Sequence, residues 1–414
     1  MSHEWTRRRF MKTGLWGLGG LAAAFPRKVL AQTFDVERVN AGDTFRIAFG
    51  SCLYNSSNRA PLDWVIRSSP DAFVWLGDNI YADTKDPEVF RAKYALLGAN
   101  PSFQELLRAC PNMACWDDHD YGEDDAGGEF EAKDISKAAF LEFWEVANDD
   151  PRRYRGGLYH SKVFGEGDRT VRVIQLDTRY FRGDHRTANS TLLGEAQWSW
   201  LEQELLKPAR LRIITSGTTI FPDVSFDAWH MFPWERERLI KLVRKHEVER
   251  VVFVSGDRHW SDLSALPSQQ YYPLYELCAS SFDQRLPITE HNALRIGTAS
   301  DEPNFGVIDV DWGASAQRPN ITFSSYSTIN GRLIRAHTVS FDHISLWPHL
   351  WPNDATQGDS LVPDPSTPTN GSPSPKPDSG PPTSIAPGAR QLPRVPVIRS
   401  QVGDYTITGR RIRK

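Results

Sequence analysis

The sequence has few cysteines, no excess of basic residues and no apolar run long enough to span a membrane. Four cysteines in 414 residues do not make the disulfide framework that stabilises small secreted domains. The formal net charge of −4 argues against a general nucleic-acid-binding protein, because such proteins need a basic surface. The 40% hydrophobic and 11% aromatic content is ample for a core, so we expect one large domain.

The first 31 residues are typical of an export signal. Residues 6–12 read Thr-Arg-Arg-Arg-Phe-Met-Lys, which matches the twin-arginine signature. The apolar run at residues 14–25 is too short for a permanent membrane helix, and small residues suited to cleavage precede Gln32. We expect the twin-arginine machinery to export the protein to the periplasm or the extracellular space. The alternative is a basic amphipathic N-terminus without a targeting role.

The middle of the chain alternates apolar runs with longer amphipathic stretches. Nine runs are predicted to be strands, several of them continuous and therefore buried. They span residues 45–49, 72–76, 113–116, 171–176, 211–216, 251–255, 275–278, 307–310 and 321–326. The predicted helices span residues 88–96, 101–109, 136–144, 194–206 and 233–245. This order predicts a layered α/β domain, which we place at residues 40–351.

The composition changes sharply after residue 351. Residues 352–396 contain 12 prolines together with many serine, threonine, glycine and aspartate residues. Such a segment cannot bury a core, so we expect a disordered linker. Residues 397–414 form a basic C-terminal tail, which is either an element for cell-surface attachment or a disordered end.

Four polar clusters directly follow predicted strands. They are residues 49–52 (Phe-Gly-Ser-Cys), 77–83 (Gly-Asp-Asn-Ile-Tyr-Ala-Asp), 116–122 (Trp-Asp-Asp-His-Asp-Tyr-Gly) and 255–260 (Ser-Gly-Asp-Arg-His-Trp). Open α/β sheets bind ligands beyond the carboxyl ends of their strands. One aspartate cluster is more often a turn or a helix cap, but four in such positions are hard to explain as turns. Carboxylates from distant segments, joined by imidazole, thiol and phenol groups, predict a two-metal site.

The cysteines and Tyr81 each have an ordinary structural explanation. A lone cysteine is commonly a small buried hydrophobe, and a lone tyrosine commonly belongs to an aromatic core. Cys52 lies at a strand end level with the acidic clusters, so we predict that it binds metal, and Tyr81 stands three residues after Asp78. Cys110 and Cys115 either form a local disulfide or remain two buried thiols.

The four clusters together resemble the motifs of the alkaline phosphatase D (PhoD-like) family, which belongs to the calcineurin-like metallophosphatases. They occur in the family's order, and supporting segments at residues 140–144, 157–160, 176–182, 232–239 and 304–306 also match. The resemblance covers approximately residues 45–312. It implies a four-layer αββα metallophosphatase sandwich, to which the composition adds a disordered proline-rich C-terminal tail.

The resemblance also implies metals and their ligands. The implied cofactors are Fe(III) and Ca²⁺, with Zn²⁺ or Mn²⁺ as alternatives. The implied metal ligands are Cys52, Asp78, Tyr81, Asp118, Asp124, Asp257 and His259. Those near the iron would be Cys52, Asp78, Tyr81 and Asp257. Many relatives have Asn-Asp or Asn-Asn at residues 123–125, where this chain has Glu-Asp-Asp, so the calcium ligand there is Asp124 or Asp125.

Four further side chains, His119, Arg258, Arg182 and Arg179, are candidates for the chemistry itself, and Arg179 and Arg182 are the weaker two. His119 could protonate a leaving oxygen or orient a metal ligand. Arg258, Arg179 and Arg182 could pair with a phosphoryl oxygen, as guanidinium groups do where they reach one. The expected reaction is hydrolysis of a small phosphate ester by a metal-activated hydroxide, without a stable nucleic-acid complex.

Two other functions stay open from the sequence. A phospholipase- or nucleotide-type phosphodiesterase of the same fold is one, because the aromatic segment at residues 229–234 could accept a lipid or a base. The other is a non-catalytic, exported metal-binding surface protein held by its tail. Turnover of any phosphate ester would separate this last alternative from the enzymes.

Overall fold

The computed structural model describes residues 43–223, 227–286, 290–313 and 319–346. The predicted signal at residues 1–31, the linker at residues 352–396 and the tail at residues 397–414 lie outside the described residues. Within the described ranges, no helix combines the length and apolar character needed to cross a membrane.

Twelve strands and seven α-helices are formed by the described residues. The strands are β1 (Thr44–Gly50), β2 (Ala72–Trp75), β3 (Asn112–Ala114), β4 (His160–Phe164), β5 (Val171–Gln175), β6 (Leu211–Ser216), β7 (Val251–Ser255), β8 (Ser261–Leu266), β9 (Leu274–Ala279), β10 (Asn304–Asp311), β11 (Asn320–Ser327) and β12 (Leu333–Ser340). The helices are α1 (Ala60–Arg67), α2 (Pro87–Gly98), α3 (Pro101–Ala109), α4 (Asp118–Tyr121), α5 (Lys133–Phe143), α6 (Gly194–Leu206) and α7 (Pro233–Lys245).

The strands build two mixed sheets of six strands each. The first has the order β12-β11-β10-β1-β2-β3, and the second has the order β4-β5-β6-β7-β9-β8. Strands β1, β2 and β3 run parallel to one another, and so do β5, β6, β7 and β9. Because parallel strands need crossover connections, each run carries helices on one face of its sheet.

The alternation of side chains in β1 shows how the layers stack. Ile47 and Phe49 lie in a core cluster with buried residues of β6, β7, α6 and α7. Ala48, which points to the opposite face, lies in a second cluster with buried residues of α1, α2, α3 and α5. The two sheets therefore pack face to face with helices outside each of them, and the predicted four-layer αββα sandwich is confirmed.

All nine predicted strands and all five predicted helices are present, with ends shifted by at most a few residues. The strands that were not predicted are β4, β8 and β12, and each of them lies at an edge of its sheet. Edge strands face solvent on one side and do not need a continuous apolar run. The four cysteines are buried and free, so Cys110 and Cys115 are two buried thiols rather than a disulfide.

Candidate metal centre

The register of the parallel strands brings the polar clusters together. Gly50 of β1 is level with Trp75 of β2, which is level with Ala114 of β3. In the second sheet, Ser216 of β6 is level with Ser255 of β7. The loops after β1, β2, β3 and β7 consequently leave their sheets at one edge, and the four clusters singled out in the sequence meet there.

Asp78 occupies the middle of this edge. Its backbone N–H donates to Oδ1 of Asp120 at 3.3 Å, and its Oδ2 accepts from the hydroxyl of Tyr81 at 3.1 Å. The other oxygen, Oδ1, is buried and accepts no hydrogen bond from the described residues. Gly77, with φ at 116°, lets the chain turn here, because a Cβ at this position would overlap Asp117.

Cys52 lies beside the same carboxylate. Its Sγ is 3.5 Å from Oδ2 of Asp78 and 3.4 Å from Oγ of Ser51, and the residue is fully buried. Burial, reinforced by the charge of Asp78, raises the pKa of the Cys52 thiol and of the Tyr81 phenol well above their usual values. A cation bound among these groups would favour their deprotonated forms, as metal ions generally do for coordinating thiols.

Four of the predicted ligands have strained backbones. The residues with φ in the left-handed region include Cys52 (60°), Asp78 (51°), Asp257 (69°) and His259 (58°). This conformation is uncommon for residues other than glycine and costs on the order of 1–3 kcal/mol each. The surrounding fold holds these residues in place against that cost.

Asp118 begins the one-turn helix α4. Its Oδ2 accepts from the backbone N–H of Asp125 at 2.8 Å, whereas its buried Oδ1 accepts no hydrogen bond from the described residues. Burial alone would raise the pKa of Asp118, but the charges of Arg179 and His119 outweigh burial and hold it below the usual range. Asp118 is therefore an ionised, partly unsatisfied carboxylate in the centre of the site.

Asp120 ties the loops after β2 and β3 to each other. Its carboxylate accepts from the backbone N–H groups of Asp117 at 2.6 Å, Asp78 at 3.3 Å and Asn79 at 3.2 Å. Burial raises the pKa of Asp120 to about 7 despite these hydrogen bonds. The residue fixes the two ligand-bearing loops and does not itself point a free oxygen at the centre.

His119 is held in a fixed orientation. Its Nδ1 is 2.7 Å from Oδ1 of Asp83, and its ring packs against that of Tyr81 with centroids 4.2 Å apart. Its Nε2 is 3.9 Å from Oδ1 of Asp124. Burial would lower the pKa of His119, but the carboxylates of Asp118, Asp78 and Asp83 together raise it to about 11.

The loop after β7 supplies Asp257 and His259. Oδ2 of Asp257 is 3.4 Å from Oγ1 of Thr218, and burial raises the pKa of this carboxyl well above its usual value. Nδ1 of His259 donates to the carbonyl of Gln284 at 3.0 Å, and burial lowers the pKa of His259 to about 4. The imidazole is therefore neutral, with Nε2 as its acceptor nitrogen, which is the form that binds metal ions.

Arg258, between these two residues, is 2% exposed. Its guanidinium lies 4.8 Å from the centroid of the Trp260 ring, and Nη2 is 3.1 Å from Oε2 of Glu290. Nη1 is 3.8 Å from Oδ2 of Asp257. Arg258 thus forms a buried ion pair with Glu290 beside the site, and its side chain has almost no surface exposed to solvent.

Two further arginines lie behind the acidic groups. Arg179 has no exposed side-chain surface, and its Nε donates to Oδ1 of Asp117 at 2.5 Å. Its Nη2 lies 2.6 Å from Oδ2 of Asp227 and 3.6 Å from Oδ1 of Asp118. Arg182 donates from Nη2 to Oδ1 of the same Asp227 at 2.6 Å. These cations neutralise part of the buried negative charge.

Potential ligand atoms form two groups around Asp118. One contains Asp78, Asp118 and His119, and the other contains Asp117, Asp118 and Asp257, with the ligand atoms of each group within 4.8 Å of one another. A family model described as PhoD-like phosphatase matches residues 60–304.

The chain belongs to the PhoD-like phosphatase family.

Individual relatives agree with this assignment. Alkaline phosphatase D of Bacillus subtilis (strain 168) is 25% identical over 242 residues, which span 49% of this chain and 41% of that protein. The solved structure of PhoD has a TM-score of 0.56 and 18% identity, with 72% of both chains covered. Purple acid phosphatase PPD1 from yellow lupin (Lupinus luteus) seeds has a TM-score of 0.50 and 13% identity, covering 72% of this chain and 54% of that one. At such identities the two structures show the fold alone.

The donor set of this PhoD-like chain fits metal ions. Four buried carboxylate oxygens accept no hydrogen bond from the described residues. One of them, Oδ2 of Asp227, lies 2.6 Å from Nη2 of Arg179, and the other three are Oδ1 of Asp78, Oδ2 of Asp117 and Oδ1 of Asp118. A buried anionic oxygen without a donor is costly, and a cation removes that cost by direct coordination. Carboxylates suit hard cations, while the neighbouring thiol and phenol widen the choice of metals.

The PhoD-like site also contains residues that the sequence did not single out. Asp117 and Asp120 lie inside a recognised motif, but neither was proposed as a site residue. Asp83 was quoted in a cluster without a role, and it holds Nδ1 of His119. Asp227 follows no predicted strand and stands in no motif, so no local signal marks it; its importance follows only from its contacts with Arg179 and Arg182.

Proposed function

We propose that this PhoD-like protein is an exported, metal-dependent phosphoesterase that hydrolyses small phosphate esters at a two-metal centre. Family membership supports phosphoric ester hydrolysis. The observation that carries the proposal is that carboxylate oxygens of Asp78 on one side, and of Asp117 and Asp257 on the other, lie within 4.8 Å of a carboxylate oxygen of Asp118. Two cations held there would supply an activated water and offset the negative charge on the phosphoryl oxygens.

Some side chains of the site would bind the metals, and others would hold the metal ligands in position. Asp78, Asp118 and Asp257 would provide carboxylate oxygens, and His259 would provide a neutral nitrogen. Asp120 fixes the loops that carry the first two of these residues. Because the carboxylates are buried, solvent and salt screen their attraction for cations only weakly.

Cys52 and Tyr81 favour iron as one metal. Thiolate and phenolate are strong donors to Fe(III), and both groups approach the carboxylate of Asp78. The remaining ligands are mostly carboxylate oxygens, including Asp124, and they suit Ca²⁺. Zinc or manganese in place of these metals is the alternative that elemental analysis decides.

His119 would act on the leaving group. Asp83 holds Nδ1 of the ring, so Nε2 is the atom that carries the transferable proton. The carboxylate of Asp83, 2.7 Å from Nδ1, favours the protonated imidazole, and a protonated imidazole can give its Nε2 proton to a departing alkoxide.

The ends of the chain complete the proposal. Residues 1–31 would direct export by the twin-arginine machinery, and residues 40–351 would form the catalytic domain. The linker at residues 352–396 and the tail at residues 397–414 would be dispensable for chemistry, and the tail would be either an element for cell-surface attachment or a disordered end. The mature enzyme would act in the periplasm or outside the cell.

Two of the three aromatic side chains that could accept a lipid or a base in a diesterase are buried, and the third, Trp234, is half-buried. The aromatic segment at residues 229–234 was expected to be able to accept a lipid or a base, but Trp229 is 0% and Phe232 is 1% exposed. Both side chains belong to the core cluster between the second sheet and its helices. They cannot contact a substrate without unfolding that layer.

A substrate panel with metal analysis tests the proposal. The purified protein should contain metal and should hydrolyse aryl, nucleoside and glycerol phosphate mono- or diesters. The Asp309→Asn variant, which alters a carboxylate paired with Arg46 at the far end of β1 and β10, serves as a control and should keep full activity. A metal-loaded wild-type protein that turns over none of these esters would leave only the metal-binding surface protein.

A further inference from the structure

A closed ring of contacts surrounds the carboxylate of Asp118. Asp118 accepts from the N–H of Asp125 at 2.8 Å, and the carbonyl of Asp125 accepts from Nη1 of Arg182 at 2.6 Å. Nη2 of Arg182 donates to Asp227 at 2.6 Å, and Asp227 contacts Nη2 of Arg179 at 2.6 Å. The same Nη2 lies 3.6 Å from Asp118, which closes the ring.

We propose that this ring positions Asp118 for metal binding, and that Arg182 is a positioning residue rather than a phosphate-binding one. The inference rests on the proposed function, since it concerns the carboxylate shared by both ligand groups. Both terminal nitrogens of Arg182 are directed to protein acceptors. Its side chain is 10% exposed, against 4% for that of Asp227.

The ring acts on Asp118 from two sides. The N–H of Asp125 fixes Oδ2, while the charge of Arg179 faces Oδ1, the oxygen that accepts no hydrogen bond from the described residues. Asp125 itself has φ at 58°, so its peptide needs an external contact to hold it in this uncommon conformation. Arg182 provides that contact through the Asp125 carbonyl. Loss of Arg182 would release Oδ2 of Asp118 and leave Asp227 with only one of its two arginines.

Metal affinity separates the two roles of Arg182. Residues that orient a metal ligand typically change affinity by about 10–100-fold when they are replaced. We expect Arg182→Gln to raise the Ca²⁺ concentration at half occupancy about 10–100-fold, measured by elemental analysis in chelator-buffered Ca²⁺. At saturating metal its KM should match the wild type. Asp227→Asn, which keeps the side-chain shape, should weaken metal binding in the same direction.

The control is a buried ion pair outside the site. Arg172 and Glu204 lie 3.1 Å apart, with side chains 11% and 5% exposed, so Arg172→Gln disturbs a comparable pair between β5 and α6. It should lower the melting temperature and leave Ca²⁺ affinity unchanged. A raised KM with normal metal affinity in Arg182→Gln would overturn the proposal and show direct phosphate binding. A wild-type protein that binds no metal would instead contradict the proposed function.

A separate observation concerns the rim of the site. Tyr54 is 63% exposed, and its ring meets the ring of Tyr81 edge to face with centroids 5.1 Å apart. Asp283 holds its loop, accepting from the N–H of Tyr54 at 2.8 Å and from Nδ2 of Asn58 at 3.0 Å. The backbone of Tyr54 is thus held in place, and its largely uncovered ring lies against the ring of Tyr81, whose hydroxyl donates to Asp78.

We infer that Tyr54 is a stacking platform for a planar leaving group, either a nucleobase or an aryl ring. This second inference also rests on the proposed function, whose ester would lie at the metals beside Tyr81. A fixed ring binds a flat partner at little cost in conformational freedom. Stacking on such a ring is worth about 1–3 kcal/mol per base and depends little on which base it is.

The proposed stacking on Tyr54 is tested by comparing kcat/KM for esters with and without a planar leaving group. Tyr54→Ala should lower kcat/KM for nucleoside and aryl esters about tenfold and leave glycerol phosphate esters unchanged, while Tyr54→Phe should retain the wild-type preference. Tyr154→Ala is the matched control, because Tyr154 is 77% exposed and its hydroxyl bonds to Asn148 instead. An equal loss on all esters, or no loss on any, would overturn the inference. Absence of turnover in the wild type would contradict the proposed function instead.

Discussion

Arg179 donates from Nε to Oδ1 of Asp117 at 2.5 Å, and their side chains are 0% and 1% exposed. An ion pair so completely buried gains little net stability over an apolar pair, but removal of one partner leaves a buried charge without compensation. Neither Arg179 nor Asp117 can therefore be replaced alone without leaving a buried charge unpaired. It also joins the loop after β5 to the loop that begins α4, which carries Asp118.

Loss of this pair should be costly for stability. We expect Arg179→Met to lower the free energy of unfolding by about 3–5 kcal/mol. The exposed pair of Arg169 and Asp43, 3.2 Å apart with side chains 42% and 51% exposed, offers the control. Arg169→Met should cost less than about 1 kcal/mol. Denaturant unfolding measures both, and equal costs would contradict the view of Arg179 as a buried structural cation.

Asp78 should be the most sensitive single position of the site. Its Oδ2 lies close to both Cys52 and Tyr81 while its Oδ1 accepts no hydrogen bond from the described residues. Asp78→Asn removes the charge and one ligand oxygen but keeps the shape. Bound metal and turnover should fall together in this variant. Near-normal turnover with metal retained would show that Asp78 is not a ligand.

His119 should matter most for poor leaving groups. A general acid contributes about 10²–10⁴-fold when the leaving oxygen needs a proton. His119→Gln should therefore reduce kcat by that order for alkyl phosphate esters and much less for p-nitrophenyl esters, which leave as a stable anion. Asp83→Asn should give an intermediate loss, because Asp83 only orients the ring. If His119→Gln lost metal and its kcat fell equally for both ester types, His119 would be a metal ligand or would orient one.

The colour of the protein reports on iron. Phenolate and thiolate bound to Fe(III) give a visible charge-transfer band, whereas calcium, zinc and magnesium give none with these ligands. We expect the concentrated protein to be coloured. Tyr81→Phe should weaken or shift the band with the fold intact, and Cys52→Ser should also lower the iron content. A colourless, fully active enzyme that contains only zinc or calcium would overturn the iron assignment. The hypothesis of a two-metal phosphoesterase would still stand.

The central strands of both sheets could be predicted from the sequence, whereas three of the four edge strands, β4, β8 and β12, could not. Central strands such as β6 and β7 are buried along nearly their whole length and read as continuous apolar runs. Strand β12 alternates exposed and half-buried residues, so nothing in its composition separates it from a loop. Helix α4 was missed for a different reason: it is a single buried turn, and its residues were interpreted as a ligand motif rather than as a helix.

The site residues that directly follow a predicted strand could also be predicted from the sequence, and the others could not. Asp78, Asp118 and Asp257 each follow a buried strand, so the position of the strand predicted the position of the carboxylate. Asp227 has no such marker, because it is brought to the site by the loop after β6. The buried roles of Arg182 and Arg258 depend on which acceptors lie nearby, and contacts over 45 residues, as between Arg182 and Asp227, leave no pattern in the sequence.

Reversible metal removal tests the central claim most directly. The purified protein would be assayed on a diester and a monoester while its metal content is followed by elemental analysis through chelation and re-addition. We predict that activity falls to background as the metals leave, and that iron together with calcium restores it better than either alone. Full activity in a protein from which all metal has been removed, with its fold intact, would contradict the account of this chain as a metal-dependent phosphoesterase.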